Sequence, residues 1–233
     1  MMLPRETSLA MLETVAQQLG SLRDQVVFLG GCTIPLFLTD PGASAIRPTF
    51  DVDLIVEVTS AMEFQQLEEK LRQRGFCQDI NENIICRWSV AGVMVDIMPT
   101  DEKILGFSNT WYKEAIRQAK TCRLTKELTI RLVTPPCFAA TKIVAFHNRG
   151  KGDFQASHDM EDLITLIDGR PELAEEISLA DDRLKTFLSE EIGRFLNDEA
   201  FLQALPGHLP PDPASQQRLP MLLDRCAMIA NMG

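Results

Sequence analysis

The hydrophobic pattern of the chain changes at Pro135-Pro136 from the period of strands to the period of helices. Upstream, short apolar runs are separated by turn residues, and the clearest strand is FDVDLIVEV at 50–58. Downstream, the predicted helices cover 137–148, 157–168, 172–178, 181–197 and 216–230. This pattern predicts an α+β protein. A mixed β-sheet flanked by helices is expected in residues 1–133, and a helical domain in residues 134–233.

The upstream part contains further predicted elements on both sides of a Gly-Gly pair. A helix at 6–19 precedes a short strand at 25–29, and an apolar segment at 32–38 is expected to be helical. The remaining expectations are helices at 60–74 and 110–120, strands at 76–79, 83–88 and 93–98, and a hairpin at 121–133. Two stretches rich in proline, 40–48 and 206–213, are predicted to be irregular loops.

The charge of the chain limits the partners it can have. It carries 33 acidic and 23 basic residues, a formal net charge of -10. This argues against a protein that coats DNA, because nonspecific affinity comes from basic residues that displace phosphate counterions. A local basic patch is still compatible with nucleic acid, and Arg47, Arg149 and Lys151 are the candidates for it.

Hydropathy and cysteine spacing predict a cytoplasmic protein. No apolar run approaches the 18 residues of a membrane span, so no membrane partner is expected. The N-terminal residues lack the apolar core of a signal peptide. The six cysteines contain no CxxC pair, so they are interpreted as reduced, mostly buried thiols and not as a zinc site.

Three aspartates lie in apolar strands, where a carboxylate needs a partner. Asp51 and Asp53 are two residues apart, so both side chains point to the same face of their strand. Asp96 lies in VMVDIMP, a second apolar strand. Mg²⁺ would satisfy all three, since it prefers hard oxygen ligands and bridges to phosphates. The alternative is an exposed edge strand for the pair, and a strand end that reaches solvent for Asp96.

The Gly30-Gly31 pair joins a predicted strand to the following segment. Glycine allows a close backbone approach, and a helix N-terminus offers unpaired N–H groups to a phosphate. Thr33 could add a hydroxyl to such a site. A simple tight turn is the alternative reading, since the pair belongs to neither a P-loop nor a GxGxxG motif.

The order of these parts resembles the polymerase-β-like nucleotidyltransferase superfamily. Its signature is an hG[GS] turn, a Dh[DE]h strand and a third carboxylate. The corresponding residues here are FLGG at 28–31, DVDL at 51–54 and VDIM at 95–98, with a longer gap than usual between the first two. The resemblance implies that Asp51, Asp53 and Asp96 bind Mg²⁺ and that Gly30-Gly31 cradles the triphosphate of an NTP.

Residues 134–168 resemble the AbiEii/AbiGii-type nucleotidyltransferases, which include the MenT-like toxins. Lys142 matches a helical lysine of that pattern, and Asp159 and Asp162 match its two aspartates. His158 stands where that family usually has Lys or Arg. Thr49 matches a Ser or Thr that often precedes the family's first carboxylates. The likeness covers about 25–170 and leaves 171–233 without a counterpart.

Lys142 can also be interpreted from its own surroundings. It lies in the apolar helix ATKIVAF, and a nucleotide phosphate would be a partner for its amine. The alternative is a stem that follows apolar surface while the amine reaches water. For Asp159, the alternative is a helix N-terminus that begins after the N-cap residue Ser157.

Together these features predict a Mg²⁺-dependent nucleotidyltransferase that moves a nucleoside monophosphate from an NTP to an acceptor hydroxyl. The resemblance implies a tRNA 3′ end as acceptor and a toxin paired with an antitoxin. A small-molecule or protein hydroxyl is also compatible. The alternatives are a non-catalytic relative that binds a nucleotide or a partner, and a scaffold that uses its helical C-terminal part.

Overall fold

The computed structural model describes residues 3–78 and 85–232. The chain divides into two compact units. The first comprises Met1–Pro35 and Arg47–Thr134, and the second comprises Leu36–Ile46 and Pro135–Gly233. The boundary after Thr134 lies next to the predicted one, whereas the segment 36–46 belongs to the helical unit and not to the unit that surrounds it in sequence.

The first unit is built on a six-stranded mixed sheet with strand order β3-β4-β2-β1-β6-β5. Strands β2 and β4 are parallel, as are β1 and β6, and the other neighbours are antiparallel. The strand bounds are β1 Val26–Leu29, β2 Asp51–Val56, β3 Arg87–Val90, β4 Val93–Pro99, β5 Lys120–Arg123 and β6 Thr129–Leu132. The helices of this unit are α1 Pro4–Leu19, α2 Ala61–Gln73, α3 Glu102–Leu105 and α4 Tyr112–Gln118.

Alternation along the strands separates an apolar face of this sheet from a face that carries charge. Phe28, Leu54, Ile97 and Leu132 are paired across four adjacent strands, and all four are buried. Because side chains alternate along a strand, Asp53 projects from the opposite face. The burial of the apolar row fixes the register, since a slip of one residue would place aspartates in the core.

The second unit consists of helices around an aromatic core. Its helices are α5 Pro135–Arg149, α6 His158–Gly169, α7 Leu173–Ser178, α8 Asp182–Leu196, α9 Glu199–Ala204, α10 Pro213–Gln216 and α11 Leu219–Ala230. Phe146, Phe154, Phe195 and Phe201 pack with ring centroids 4.9–5.9 Å apart. Ring pairs at such distances add to the burial of their area.

Charged contacts attach the segment 36–46 to the helical unit. Arg218 donates from Nη2 to Asp40 Oδ2 at 2.8 Å and from Nε to Asp168 Oδ1 at 2.9 Å. Arg225 donates to the same Asp40 oxygen at 3.2 Å. The hydrogen bond from Arg218 lowers the pKa of the Asp40 carboxyl to about 2, with Gly42 N–H and Arg225 acting in the same direction. The segment is therefore held by ionic contacts in addition to apolar packing.

Most of the predicted elements are confirmed, and the differences have local causes. The α+β class is correct, and Ser157 is the N-cap of α6, as its position suggested. The segment expected to be helical at 32–38 is a 3₁₀ helix, Gly31–Leu36, with Pro35 inside it. The predicted strands at 76–79 and 83–88 lie partly outside the described residues, and β3 begins only at Arg87.

Short helices were missed because they span too few residues for a hydrophobic period. They are α3, α9 and α10. The stretch 206–213 was expected to be irregular throughout. It contains part of a 3₁₀ helix, Leu205–His208, and the first residue of α10, where Pro213 is tolerated because the first helical N–H has no partner within the helix.

Candidate functional site

The three aspartates of the first unit lie on one face of the sheet. Asp53 in β2 is paired with Asp96 in the parallel neighbour β4, and Asp51 is paired with Met94 two residues earlier. Paired residues project from the same side, so all three carboxylates share that side. The Asp96 side chain is 14% exposed and that of Asp51 is 37% exposed. The structure therefore brings together the three residues that the sequence selected as metal ligands.

Arg87 in β3 neutralises part of this acidic row. Its Nε and Nη2 donate to the two carboxylate oxygens of Asp96, both at 2.8 Å. Nη2 also lies 3.5 Å from Asp51 Oδ2. A bidentate guanidinium–carboxylate pair is among the stronger ionic contacts in proteins. Burial, with Asp96 close by, raises the pKa of the adjacent Cys86 thiol to about 11.

Arg87 was missed by sequence reasoning, although the sequence contains a signal for its position. Ala91 and Gly92 both have positive φ, 48° and 82°, and form the two-residue turn between β3 and β4. Such turns fix the register of a hairpin, so residues equidistant from them are paired. Arg87 and Asp96 are paired in this way. The Ala91-Gly92 turn is therefore the sequence signal that pairs Arg87 with Asp96.

The glycine at the end of β1 makes room for Asp53. Gly30 has φ +80°, and a Cβ atom at this position would lie 1.8 Å from Asp53 Oδ2. Both its conformation and its neighbour therefore require glycine. Gly31 begins the 3₁₀ helix and is buried. Gly30 therefore lies beside Asp53 of the acidic row, and phosphate binding by the pair stays a prediction.

Thr33 and Thr49 are buried and take part in hydrogen bonds within the first unit. The Thr33 hydroxyl donates to Gly30 O at 2.7 Å. The Thr49 hydroxyl lies 3.4 Å from the Ser8 hydroxyl of α1. Thr49 also bonds to Cys32, a thiol whose pKa burial raises to about 12. Both threonines therefore brace the Gly-Gly turn and the entry to β2, and neither hydroxyl is directed to solvent.

The other predicted residues form a charge cluster inside the helical unit. Lys142 of α5 lies with Nζ 2.6 Å from Asp162 Oδ2 and 3.1 Å from Asp159 Oδ1, both in α6. Arg149 donates to both oxygens of Asp159, at 2.6 and 2.8 Å. Asp159 is buried, which would raise the pKa of its carboxyl. The contacts from Arg149 and Lys142 outweigh that effect, and the pKa is lowered.

This cluster changes the interpretation of its members. The amine of Lys142 neither reaches water nor is open to an anion as it stands, since it is buried against two carboxylates. Arg149, a candidate for a basic patch, bonds to Asp159. His158 is exposed, and its Nδ1 lies 3.2 Å from Glu161 Oε2 on the same helix.

Comparisons with known proteins identify no family for this chain. No protein-family model matches the sequence, and no significant match occurs among curated proteins. In the part of the chain that the structure describes, no helix has the length and apolar character needed to cross a membrane.

Proposed function

We propose that the protein is a nucleotidyltransferase that transfers a nucleoside monophosphate from an NTP to an acceptor hydroxyl and releases pyrophosphate, with Mg²⁺ as cofactor. The observation that carries this proposal is the acidic row of Asp51, Asp53 and Asp96 on one face of the sheet, next to the turn at Gly30. Carboxylates so close together repel unless cations lie between them. The same residues carry the resemblance to the polymerase-β-like superfamily.

The chemistry of the acidic row suits Mg²⁺. Asp51, Asp53 and Asp96 would hold the ion, since carboxylate oxygens are the ligands it prefers. Across residues 3–78 and 85–232, no three His, Cys, Asp or Glu side chains are arranged to hold a metal as they stand. Arg87 occupies both oxygens of Asp96, so binding requires that this contact be exchanged. A bound metal would neutralise the triphosphate and polarise the α-phosphate.

The side chains around the row would perform the remaining steps. Asp96 would accept the proton of the acceptor hydroxyl, since a carboxylate in hydrogen-bonding reach can act as a general base. Gly30 would keep Asp53 in position, and the backbone of Gly31 would approach the phosphates. The roles that the resemblance implies for Lys142 and Asp159 stay a prediction, and a ligand of either residue would have to replace the ion pairs that they now make.

A nucleic-acid acceptor such as a tRNA 3′ end is supported by the charge of the β5–β6 region. Residues 113–131 contain six basic and two acidic residues, although the chain as a whole is acidic. Arg131 and, by alternation, Arg123 lie on the same sheet face as Asp53, since Leu132 is paired in the row of Leu54. Clustered Lys and Arg bind phosphates by releasing counterions. A small-molecule or protein hydroxyl is the alternative acceptor.

Transfer of label tests this proposal. Purified protein is incubated with Mg²⁺ and each of the four α-³²P-labelled NTPs, with tRNA, with a small-molecule extract or with protein extract as acceptor. Label should move to one acceptor class, and Asp51→Ala should abolish the transfer because a ligand is lost. The matched control is Asp182→Ala, which removes an exposed carboxylate from α8. Absence of transfer by the wild type in every mixture, or unchanged transfer by Asp51→Ala, would refute the proposal.

Involvement of the basic region is tested in the same assay. Arg123→Glu, which reverses a charge on the Asp53 face, should weaken transfer to tRNA and leave transfer to a small-molecule acceptor unchanged. The effect should shrink as salt is raised, because screening already weakens the wild-type contact. Equal transfer to tRNA by the variant and the wild type at low salt would exclude this surface.

The second candidate function is a non-catalytic relative that binds nucleotide or a protein partner such as an antitoxin. The contact of Arg87 with both oxygens of Asp96 favours it, since an internal cation can stabilise the row without a metal. Calorimetric titration with the four NTPs, with and without Mg²⁺, distinguishes the two. Binding that is independent of metal and is followed by no turnover supports the second candidate. In either case a cytoplasmic location is proposed, where NTPs are available.

A further inference from the structure

The guanidinium of Arg87 lies against two carboxylates of the acidic row, those of Asp96 and Asp51. Its Nη2 is 2.8 Å from Asp96 Oδ2 and 3.5 Å from Asp51 Oδ2, so one nitrogen contacts carboxylates of two strands. The Arg87 side chain is 20% exposed. The pair is thus shielded in part from water and still reachable by a solute.

The position of Arg87 is set by the backbone. It lies directly opposite Asp96 in the β3–β4 hairpin, and Asp96 lies directly opposite Asp53. Arg87, Asp96 and Asp53 therefore form one row across three strands on the same face. A cation bound by Asp51 and Asp96 would need the same oxygens that the guanidinium now holds.

We propose that Arg87 is the resident counter-ion of the metal-free acidic row and that it competes with a divalent cation for the oxygens of Asp96 and Asp51. This inference rests on the proposed function, because it takes the row to be a metal site. Binding of the cation breaks the contacts of Arg87 with Asp96 and leaves the five N–H donors of the guanidinium beside the site. Those donors then bind phosphate oxygens of the nucleotide, for which a planar guanidinium is well suited.

If Arg87 competes with the cation, Arg87→Gln should lower the thermal stability of the metal-free protein and raise its affinity for Mn²⁺. Arg87→Gln removes the internal cation, so the metal-free protein should unfold at a lower temperature, since uncompensated carboxylates are left together. The same variant should bind Mn²⁺ about tenfold more tightly than the wild type, because no ion pair has to be broken. A purely structural arginine would lower both stability and metal binding.

The experiment measures Mn²⁺ alone, by the decrease of the free-ion signal in electron paramagnetic resonance, on the full chain. Arg87→Lys is the second variant, because it keeps a cation, preserves folding and should give an intermediate affinity. Arg72→Gln is the matched control, since Arg72 is an exposed arginine of the same unit that pairs with Glu68 on α2. Thermal unfolding with and without Mn²⁺ provides a second readout, and the ion should raise the midpoint most in Arg87→Gln.

The outcomes separate this inference from the proposed function. Tighter Mn²⁺ binding by Arg87→Gln, with binding by Arg72→Gln unchanged, supports competition. Equal or weaker binding by both Arg87 variants, in a protein that binds the ion, overturns the competition and leaves the metal site standing. Absence of Mn²⁺ binding in the wild type and in every variant, even with ATP present, overturns both.

Discussion

Replacement of Lys142 by Met is expected to destabilise the helical unit strongly. The change keeps most of the apolar stem and removes the charge between Asp159 and Asp162, whose side chains are 5% and 0% exposed. Removal of one partner from a buried ion pair costs roughly 3–5 kcal/mol. Arg149 still contacts both oxygens of Asp159, which places the expected loss near the lower end, at about 3 kcal/mol.

Urea denaturation followed by far-UV circular dichroism measures this loss, because the second unit is mostly helical. With an m-value of about 1.5 kcal/mol/M, the midpoint should fall by about 2 M. Trp88 and Trp111 both lie in the first unit, so tryptophan fluorescence reports the unfolding of that unit separately.

Lys185→Met is the matched control, since Lys185 contacts the exposed Asp182 at 2.9 Å on α8. It should cost less than about 1 kcal/mol, as exposed pairs do. A double variant, Lys142→Met with Asp162→Asn, should be less destabilised than the sum of the two single changes. Equal midpoints for Lys142→Met and Lys185→Met would refute the conclusion that this cluster stabilises the unit.

Three further predictions concern other parts of the chain. Gly30→Ala should lower the unfolding free energy of the first unit by more than Gly92→Ala does. Both glycines have positive φ, but only a Cβ atom at position 30 would meet a carboxylate, that of Asp53. Denaturation curves of the two variants, recorded in parallel, measure the difference. The pKa of Asp40, about 2, lies below its ordinary value of 3.8. The ionised Asp40 carboxylate therefore adds to the unfolding free energy above about pH 4, and this stabilisation is lost as the pH falls toward 2. Urea curves at pH 5 and pH 3 should therefore differ less for Asp40→Asn than for the wild type. With a thiol reagent at pH 8, Cys77 should react before Cys226. Cys77 is exposed, whereas Cys226 is buried and burial raises the pKa of its thiol to about 12. Equal labelling rates of these two cysteines without denaturant would contradict this prediction.

Local patterns predicted the acidic row because its determinants are close together in sequence. The alternation of DVDL fixes the common face of Asp51 and Asp53, and the strand VMVDIMP places Asp96 in an apolar strand. The pairing of Asp53 with Asp96 joins strands more than forty residues apart, and the sequence suggested a common site for the three carboxylates without the pairing of their strands. The sequence contains no local signal of that register.

The assignment of the segment 36–46 to the helical unit could not be predicted for the same reason. Its attachment depends on Arg218 and Arg225, which lie 178 and 185 residues after Asp40 in the chain. Arginines on a predicted helix are ordinarily interpreted as solvent-exposed, since most are. The loop composition of 40–48 indicated irregular structure and carried no information about its partner.

The acidic row of the sheet and the cluster around Lys142 differ in the solvent exposure of the basic side chain that each contains. Lys142 is 9% exposed between two carboxylates in the helical unit, whereas Arg87 is 20% exposed beside Asp51, itself 37% exposed. A counter-ion that yields to a ligand has to be reached from solvent, and a buried one is costly to displace because it leaves charges without a partner. The greater exposure of Arg87 therefore favours the sheet as the place of the proposed chemistry, and the burial of Lys142 favours a stabilising role for the helical cluster. A variant of Lys142 that is fully folded but fails to bind nucleotide would reverse that ranking.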